Sequence, residues 1–329
     1  MSDSEGRIVA GIDEAGYGPL LGPLTLGFSA FRIPRGERTL WQMLAPVVAR
    51  KPKARDTRRI VVADSKVVFQ RSPVGHRRLE LTALSFLAQV QGEWPTDGHA
   101  LLGTALAGLG PGPETLERHP WYSRLPGELP VWSAGGLVQD AAERLKQKLR
   151  RADVEMLAAG ARAVPAGELN ASFAETENKG LTLWEKTAGI MHGLWDAYGV
   201  EGLDLVVDRH GGRMHYAGLL SHYFSEALVE VVREGPKWSA YLLHGDGRKM
   251  RVTFVAHGEE RSFAVALGSC MAKYVREVSM GAFNAYFGEL QDGLKGTAGY
   301  WTDGQRWLGD AREAIEKAGV LRDVLVRDR

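Results

Sequence analysis

The sequence predicts an α/β fold in which a mixed central β-sheet is flanked by helices. Short apolar runs rich in β-branched residues, which are typical of buried strands, stand between longer amphipathic segments that are typical of helices. Several of the short runs end on an acidic residue, and strands that deliver acids at their ends suit a layered α/β domain. The length of 329 residues fits one elaborated domain spanning residues 1–329.

The composition indicates a soluble globular protein, with 44% hydrophobic and 25% charged residues. A single cysteine, Cys270, can form neither an internal disulfide nor a thiolate zinc site, which favours a reducing cytoplasm. The first residues lack the apolar region of a signal peptide, and no apolar run is long enough to cross a bilayer. We therefore expect a cytoplasmic protein without a membrane partner.

Two segments concentrate positive charge although the formal net charge is only +1. A protein that binds nucleic acid needs a local basic face rather than a basic total, so the net charge excludes nothing. The second segment is equally well explained as a solvated helix face, because acids stand beside it. The first cluster comprises Arg50, Lys51, Lys53, Arg55, Arg58 and Arg59, and the second comprises Arg144, Lys146, Lys148, Arg150 and Arg151.

The first elements form a predicted antiparallel hairpin. Residues 7–12 read as a buried strand that ends on Asp13. Gly16-Tyr17-Gly18-Pro19 has the composition of a turn. Apolar residues resume over residues 24–31 with small residues between them, which favours a second strand over a helix.

The next part of the chain combines one more apolar run with a long atypical segment. The run at residues 60–63 closes on Asp64-Ser65-Lys66. An amphipathic helix is expected around residues 79–90, within a segment of about 72–137 that is rich in Gly and Pro and that we interpret as an insertion. Further helices are predicted at 138–159 and 182–198.

The last part of the chain predicts a strand at residues 203–207 that ends on Asp208. A second insertion is expected at about 211–249 and a C-terminal helical segment at about 283–329. The other predicted elements are a helix at 216–226, strands at 240–244 and 252–256 joined by an Asp246-Gly247 turn, a helix through Ala272 and Lys273, and a helix at 310–318.

Four acids at or near strand ends, Asp13, Glu14, Asp208 and Glu259, are candidate metal ligands. Carboxylates that share a dry site repel one another, and a cation removes that conflict. Oxygen ligands favour Mg²⁺ or Mn²⁺, and two such ions about 3.5–4 Å apart can stabilise both the attacking and the leaving oxygen of a phosphodiester. Taken singly, each acid is better explained as a turn former or helix cap.

The acids belong to a series of motifs whose order resembles the ribonuclease HII (type 2 ribonuclease H) family. In that family the first motif carries an Asp-Glu pair followed by Gly-Arg-Gly-Pro. The resemblance covers about residues 7–71, 138–210 and 250–318. The motifs are Val9-Ala10-Gly11-Ile12-Asp13-Glu14-Ala15-Gly16-Tyr17-Gly18-Pro19-Leu20, Ala63-Asp64-Ser65-Lys66, Leu205-Val206-Val207-Asp208, His257-Gly258-Glu259, Ser269-Cys270-Met271-Ala272-Lys273 and Gly299-Tyr300-Trp301-Thr302.

The resemblance implies a ribonuclease H-like fold and a metal-dependent endonuclease, a phosphodiester hydrolase. Its substrate would be the RNA strand of an RNA–DNA hybrid, or a duplex with embedded ribonucleotides, cut to leave 5′-phosphate and 3′-hydroxyl ends. Asp13, Glu14, Asp208 and Glu259 would bind Mg²⁺ or Mn²⁺ in a two-metal site. The implied substrate-binding residues are Gly16, Tyr17 and Gly18 around the ribose 2′-hydroxyl, Ser65, Lys66, Ser269 and Lys273 at phosphates, and Tyr300 at a sugar.

The chain departs from the family pattern at several of these positions. Tyr17 replaces the family arginine, so a charged substrate contact is missing there. Glu259 replaces an aspartate, and the neighbouring Glu260 is an alternative fourth acid. His257 replaces a lysine. His210 follows Asp208 closely, either as an ordinary loop residue or as a group near the leaving oxygen.

Other readings of single residues and of the whole chain stay open. Lys66 and Lys273 could be solvated, and Ser65 and Ser269 could cap helices. Trp301 and Trp307 fit core packing better than stacking on nucleic acid. A nuclease acting on another structured nucleic acid, or a nucleic-acid-binding protein without catalysis, would retain many of the same features. A dinucleotide-binding site is disfavoured because the glycine spacing differs from the usual fingerprint and a strand follows it. Protein partners and oligomeric state are not predicted.

Overall fold

The computed structural model describes residues 6–53, 58–106 and 108–328, so Arg55 of the first basic cluster lies outside the described residues. The strands are β1 (Arg7–Ala15), β2 (Leu24–Ile33), β3 (Val48–Ala49), β4 (Ile60–Val61), β5 (Glu155–Val164), β6 (Leu203–Asp208), β7 (Leu228–Arg233), β8 (Trp238–Gly245) and β9 (Arg248–Val255).

The helices surround the sheet. They are α1 (Leu40–Leu44), α2 (Ser65–Val68), α3 (Pro73–Gln91), α4 (Gly98–Leu102), α5 (Pro113–Arg118), α6 (Gly135–Ala152), α7 (Ala166–Thr176), α8 (Lys179–Tyr198), α9 (Ala217–Tyr223), α10 (Gly258–Arg261), α11 (Phe263–Leu290), α12 (Trp301–Asp310), α13 (Arg312–Ala318) and α14 (Arg322–Leu325). A 3₁₀ helix spans Pro120–Arg124.

The central sheet is mixed and has the strand order β5-β2-β1-β6-β9-β8-β7. Strand β2 runs antiparallel to both of its neighbours, β1 and β5. Strands β1, β6 and β9 run parallel to one another, so their carboxyl ends meet at one edge of the sheet. The predicted α/β fold with a mixed central sheet flanked by helices is thereby confirmed.

Glycines allow the longest helix, α11, to lie directly on β1 and β2. A Cβ on Gly27 would stand 1.9 Å from the carbonyl oxygen of Gly268, and one on Gly11 would stand 2.2 Å from the amide nitrogen of Val265. Such distances are far inside van der Waals contact, so only glycine fits at either place. The opposite face of the sheet is covered by α8, whose Trp184 and Trp195 are fully buried in a second apolar cluster.

Most of the predicted elements are present. The hairpin of β1 and β2 is confirmed by its antiparallel register. The predicted turn between β8 and β9 is also confirmed, because Asp246 and Gly247 have φ of 49° and 74°, the left-handed backbone that a tight hairpin needs. Strand β7 was not predicted, and it extends the sheet by pairing with β8.

The predicted helix at residues 138–159 is wrong over its last third. Helix α6 ends at Ala152, where Asp153 adopts a left-handed φ of 53°, and the chain then forms β5. Alanines in this stretch favour a helix locally. Pairing with the free edge of β2 overrides that preference, and the run of small and apolar residues is mostly buried, as a strand covered on both faces requires.

The segment at 72–137 packs into the main core rather than beside it. Helix α3 buries most of its residues there, including Glu80. The Glu80 carboxylate accepts the amide N–H groups of Val131, Trp132 and Ser133 at 2.6–2.7 Å and the hydroxyl of Tyr274 at 3.1 Å. This buried carboxylate ties the end of the segment to α11. That the segments at 72–137 and 211–249 are insertions stays a prediction.

No helix within the described residues combines the length and apolar character that crossing a membrane requires.

Candidate metal centre and nucleic-acid site

The parallel strands bring three of the predicted acids together at one edge of the sheet. Asp13 and Glu14 lie at the end of β1, and Asp208 is the last residue of the adjacent β6. One ligand oxygen of each carboxylate lies within 4.8 Å of those of the other two. Binding sites in open α/β sheets lie at the carboxyl ends of the strands, as this cluster does.

Burial and mutual repulsion make the three acids hard to ionise together. Burial, and then the charges of Glu14 and Asp208, raise the pKa of Asp13 well above its usual range. Burial and the charge of Asp208 raise the pKa of Glu14 from 4.5 to about 7. Burial also raises the pKa of Asp208. An all-oxygen donor set in this state fits a hard divalent cation, whose charge would favour the ionised forms.

Hydrogen bonds orient the acids. Oδ1 of Asp208 accepts the amide N–H of Gly258 at 2.8 Å, which fixes it against the start of α10. Oδ1 of Asp13 accepts the amide N–H of Glu14 at 2.8 Å. A hydrogen bond from the side chain of Ser269 partly offsets the rise in the pKa of Asp13. Ligand carboxylates are commonly held in this way by surrounding donors.

Glu259 stands next to the cluster but is not one of the three acids that converge. It is half-buried on α10, and burial together with the charges of Asp208 and Asp64 raises its pKa. Glu260 is exposed, and its backbone carbonyl accepts a hydrogen bond from Arg50. The placement favours Glu259 over Glu260 as a fourth acid, and the role itself stays a prediction.

Ser65 and Lys66 approach the acids from the short helix α2, which Asp64 caps by accepting the amide N–H of Lys66 at 2.9 Å. The hydroxyls of Ser65 and Ser269 are hydrogen-bonded at 3.0 Å and are both buried, so they join α2 to α11. Lys66 is exposed, and its positive charge lowers the pKa of Glu14 and Asp208. Of this group, Lys66 is the side chain open to a ligand.

Lys273 is engaged within the protein. Its Nζ lies 2.6 Å from Oε1 of Glu277 and 4.6 Å from the ring centroid of Phe69. Its predicted role as a phosphate contact would require the ammonium to serve a second anion besides Glu277, and it stays a prediction.

The loop after Glu14 is fixed by two buried arginines that the sequence motifs did not identify. Arg276 donates to the carbonyls of Pro23, Leu21 and Ala298, and Arg327 donates to those of Gly16 and Gly22. Both side chains are almost fully buried. Burial lowers the pKa of Arg327, as does the nearby charge of Arg276. Arg276 lies in a mostly apolar helical stretch whose other charged residues include Lys273 and Glu277, so the sequence offered no distinct signal for its role.

The glycines and the C-terminal motif complete this loop. Gly16 has φ of +80°, and a Cβ there would stand 2.8 Å from the guanidinium of Arg276, whereas Gly18 is exposed with open space around it. The carbonyl of Gly299 accepts the amide N–H of Leu20 at 2.7 Å. Tyr300 follows it with 53% of its surface exposed, so the structure brings the predicted Tyr300 to the same loop as Gly16 and Gly18.

Tyr17 is half-buried beside the acids. Burial, and then the charge of Glu14, raise the pKa of its hydroxyl. A neutral phenol therefore stands where the resembling family has a cation.

The remaining candidates lie in different surroundings. His210 is buried, with Nε2 3.2 Å from Oγ1 of Thr187, and burial lowers its pKa to about 4, so it is neutral near pH 7. A role for His210 near a leaving oxygen stays a hypothesis. Trp307 is fully buried against Phe283 and belongs to the core, as expected, whereas Trp301 is 48% exposed.

Comparison with known proteins finds similarity to solved structures only. No protein-family model matches the chain, and no curated protein matches it. The similar structures include a ribonuclease HII of Archaeoglobus fulgidus in complex with PCNA, with 15% identity over 98% of this chain and 94% of that one and a TM-score of 0.42.

Two further similar structures are those of related enzymes. Ribonuclease H2 of Pyrococcus horikoshii OT3 has 15% identity over 97% of this chain and 92% of that one, with a TM-score of 0.39. Bst-RNase HIII in complex with Mn²⁺ has 12% identity over 99% of this chain and 67% of that one, with a TM-score of 0.40. Because the identities and TM-scores are low, the function is argued from the site itself.

Proposed function

We propose that the protein is a divalent-metal-dependent endonuclease that hydrolyses the RNA strand of RNA–DNA hybrids or duplexes with embedded ribonucleotides. The observation that carries the proposal is the convergence of Asp13, Glu14 and Asp208 within 4.8 Å at the ends of two parallel strands. Those three acids belong to two of the motifs that resemble ribonuclease HII, and the loop of Gly16 and Gly18 follows Glu14.

In this proposal the carboxylates of Asp13, Glu14 and Asp208 hold Mg²⁺ or Mn²⁺, with Glu259 at the margin of the site. When bound, the ions supply positive charge to the phosphate under attack and to the leaving oxygen. The Gly258 amide keeps Asp208 aimed at the cluster. Lys66 lies near enough to lower the pKa of Glu14 and Asp208, and its exposed ammonium can neutralise a phosphate oxygen.

Substrate selection in the proposal rests on the loop around Gly16 and Gly18. Arg276 and Arg327 hold that loop in one conformation, and Gly18 leaves its backbone open. A backbone group placed there can hydrogen-bond a ribose 2′-hydroxyl, the group that distinguishes RNA from DNA. Tyr300 lies on the same side, where its exposed ring can pack on a sugar.

A cleavage assay tests the proposal. Labelled RNA–DNA hybrid, duplex DNA with one ribonucleotide, plain duplex DNA and structured DNA are each incubated with Mg²⁺ or Mn²⁺. We expect cleavage of the first two substrates, lost with EDTA and reduced about 100-fold or more in Asp208→Asn, since removal of a charged group that acts on the transition state typically has effects of this size. If neither ribonucleotide-containing substrate is cut, the proposal is wrong.

A matched control lies on the same strand. Asp204 is half-buried four residues before Asp208, at the other end of β6, where its register partner is Arg251. Asp204→Asn removes the same charge at a distance of about 13 Å along the strand. It should leave the cleavage rate within about twofold of wild type, which separates loss of a site ligand from a general change in β6.

One observation favours a second candidate, a nuclease that acts on another structured nucleic acid. Tyr17 supplies no charge where the resembling family has arginine, so the contact to the substrate differs there. Cleavage of structured DNA alone would select this candidate. Binding of all four nucleic acids without metal-dependent cleavage would select a catalytically inactive binding protein.

A further inference from the structure

Two cations meet at the ring of Tyr17, on the side of the glycine loop next to Glu14. Nζ of Lys179, the first residue of α8, lies 5.1 Å from the ring centroid of Tyr17. Arg213 comes from the loop between β6 and α9, and a Cβ on Gly180 would stand 3.5 Å from its Nη2. Three segments that are distant in sequence therefore place one ring and two cations together.

Arg213 is a half-buried cation without an acidic partner. Within the residues that the structure describes, no carboxylate forms an ion pair with its guanidinium. Partly buried charges are normally paired. Burial, and then the charge of Glu14, raise the pKa of the Tyr17 hydroxyl, whereas the charge of Arg213 lowers it. Because Glu14 belongs to the metal cluster, Arg213 remains available to an external anion.

The amide groups at the start of α8 do not provide this anion site. The amide N–H groups of Gly180 and Leu181 donate to the side chain of Asn178, at 3.0 and 3.1 Å. The positive charge must therefore come from side chains. Lys179 is exposed and Arg213 half-exposed, so a chain passing over Tyr17 can reach both.

A cavity with a partly apolar lining adjoins Tyr17. Leu24, Leu169 and Phe173 supply its apolar part, and Lys179, Asn170 and Asp328 are among its polar lining residues. A planar ring with apolar side chains and cations near it suits a nucleotide, which presents a sugar or base next to a phosphate. A free inorganic anion would use only the cations.

We propose that Lys179 and Arg213, which both lie near Tyr17, bind a backbone phosphate of the substrate strand next to the phosphate addressed by Asp13, Glu14 and Asp208. This inference rests on the proposed function for the identity of the strand. Lys179 and Arg213, which lie outside the motifs, would supply the positive charge that the family arginine provides and Tyr17 does not. The Tyr17 ring would then be the surface on which the sugar packs.

Salt-dependent binding tests the site without relying on cleavage. Affinity for the hybrid, the ribonucleotide-containing duplex, plain duplex DNA and structured DNA is measured against KCl concentration in an Asp208→Asn background with Mg²⁺. Each phosphate contact contributes about 0.9 to the slope of log K against log salt for a duplex. Because both cations address one phosphate, we expect the double variant Lys179→Ala/Arg213→Ala to flatten the slope by about that amount, each single variant to flatten it by part of that amount, and Lys179→Arg to retain it.

Matched controls remove cations elsewhere on the surface. Lys317→Ala removes an ammonium paired with Glu313, and Arg124→Ala removes a guanidinium paired with Glu289. Both should leave the slope unchanged. Circular dichroism of each variant confirms that loss of binding is not loss of folding.

The outcomes separate this inference from the proposed function. Wild-type cleavage of the ribonucleotide-containing substrates with no change of slope in Lys179→Ala and Arg213→Ala overturns the inference and leaves the function standing. Flattened slopes without cleavage by wild type support the site and contradict the function. Absence of binding to all four nucleic acids overturns the inference.

Discussion

Replacing Glu14 by glutamine should stabilise the metal-free protein while removing its response to metal. In wild type, burial and the charge of Asp208 raise the pKa of Glu14 from 4.5 to about 7. The folded state therefore holds the Glu14 proton more tightly than the unfolded state does. Between about pH 4.5 and 7 the free energy of unfolding of the metal-free protein should fall as the pH rises, because ionisation is favoured only after unfolding.

The size of the effect follows from the shift of this pKa. A change from 4.5 to about 7 corresponds to about 3 kcal/mol of differential stability once the pH is at or above 7. Glutamine avoids the charge but keeps a buried polar group, so we expect a gain of about 1–3 kcal/mol at pH 7.5 in EDTA. At pH 4, where glutamate is protonated in the folded state, the two proteins should differ by less than about 0.5 kcal/mol.

Urea unfolding followed by circular dichroism measures the free energies of unfolding of wild type and Glu14→Gln at pH 7.5 and at pH 4. Addition of Mg²⁺ or Mn²⁺ should stabilise wild type, since a ligand that binds only the folded state shifts the equilibrium, and should stabilise Glu14→Gln much less. Glu230→Gln, at an exposed position on β7, is the matched control and should change neither the stability in EDTA nor the stabilisation by metal. If Glu14→Gln is less stable than wild type in EDTA at pH 7.5, or if metal stabilises both equally, the electrostatic account of the cluster is wrong.

Two further predictions concern the scaffold. Glu80→Ala should destabilise the protein by about 3–5 kcal/mol in urea unfolding, because it leaves buried donors without their acceptor. Glu93→Ala, on the exposed surface, should have little effect. Equal stability of the two variants would contradict the buried role of Glu80. Gly27→Ala should lower the melting temperature sharply or prevent folding, since its Cβ would stand 1.9 Å from a backbone oxygen of α11. Gly127→Ala, at a position with open space around it, should leave the melting temperature unchanged. A Gly27→Ala protein with wild-type stability would show that packing of α11 on the sheet does not need glycine at this position.

The acids of the site were predictable because the pattern that identifies each of them lies in the residues next to it in the sequence. An apolar strand that ends on Asp13, and another that ends on Asp208, each appear in the sequence without reference to the rest of the chain. The step that the sequence could not supply is the pairing of β1 with β6, which sets the two ends side by side. Glu259 shows the limit of this reasoning, because it follows a strand equally well but does not join the three converging acids.

The residues that local patterns missed act through distant contacts. Arg327 is separated by 311 residues from Gly16, whose carbonyl it binds, and nothing in its neighbours indicates that function. Lys179 and Arg213 look like ordinary surface cations until the fold sets both beside Tyr17. Strand β5 was missed for a related reason, because its partner β2 decides its conformation against the helical preference of its alanines.

The two halves of the site are stabilised in opposite ways, and this bears on how selectivity and catalysis are divided. The glycine loop is held by Arg276 and Arg327 through backbone carbonyls before any ligand arrives, so the groups that we propose to face a sugar are already in place. Burial and mutual repulsion raise the pKa of Asp13 and of Glu14, so a bound cation would favour the ionised forms of the acids. A preorganised loop discriminates substrates at little entropic cost, whereas a destabilised acid cluster favours metal binding at the price of stability without it. Substitutions in the loop should therefore change which nucleic acid is bound, and substitutions of the acids should change whether it is cut.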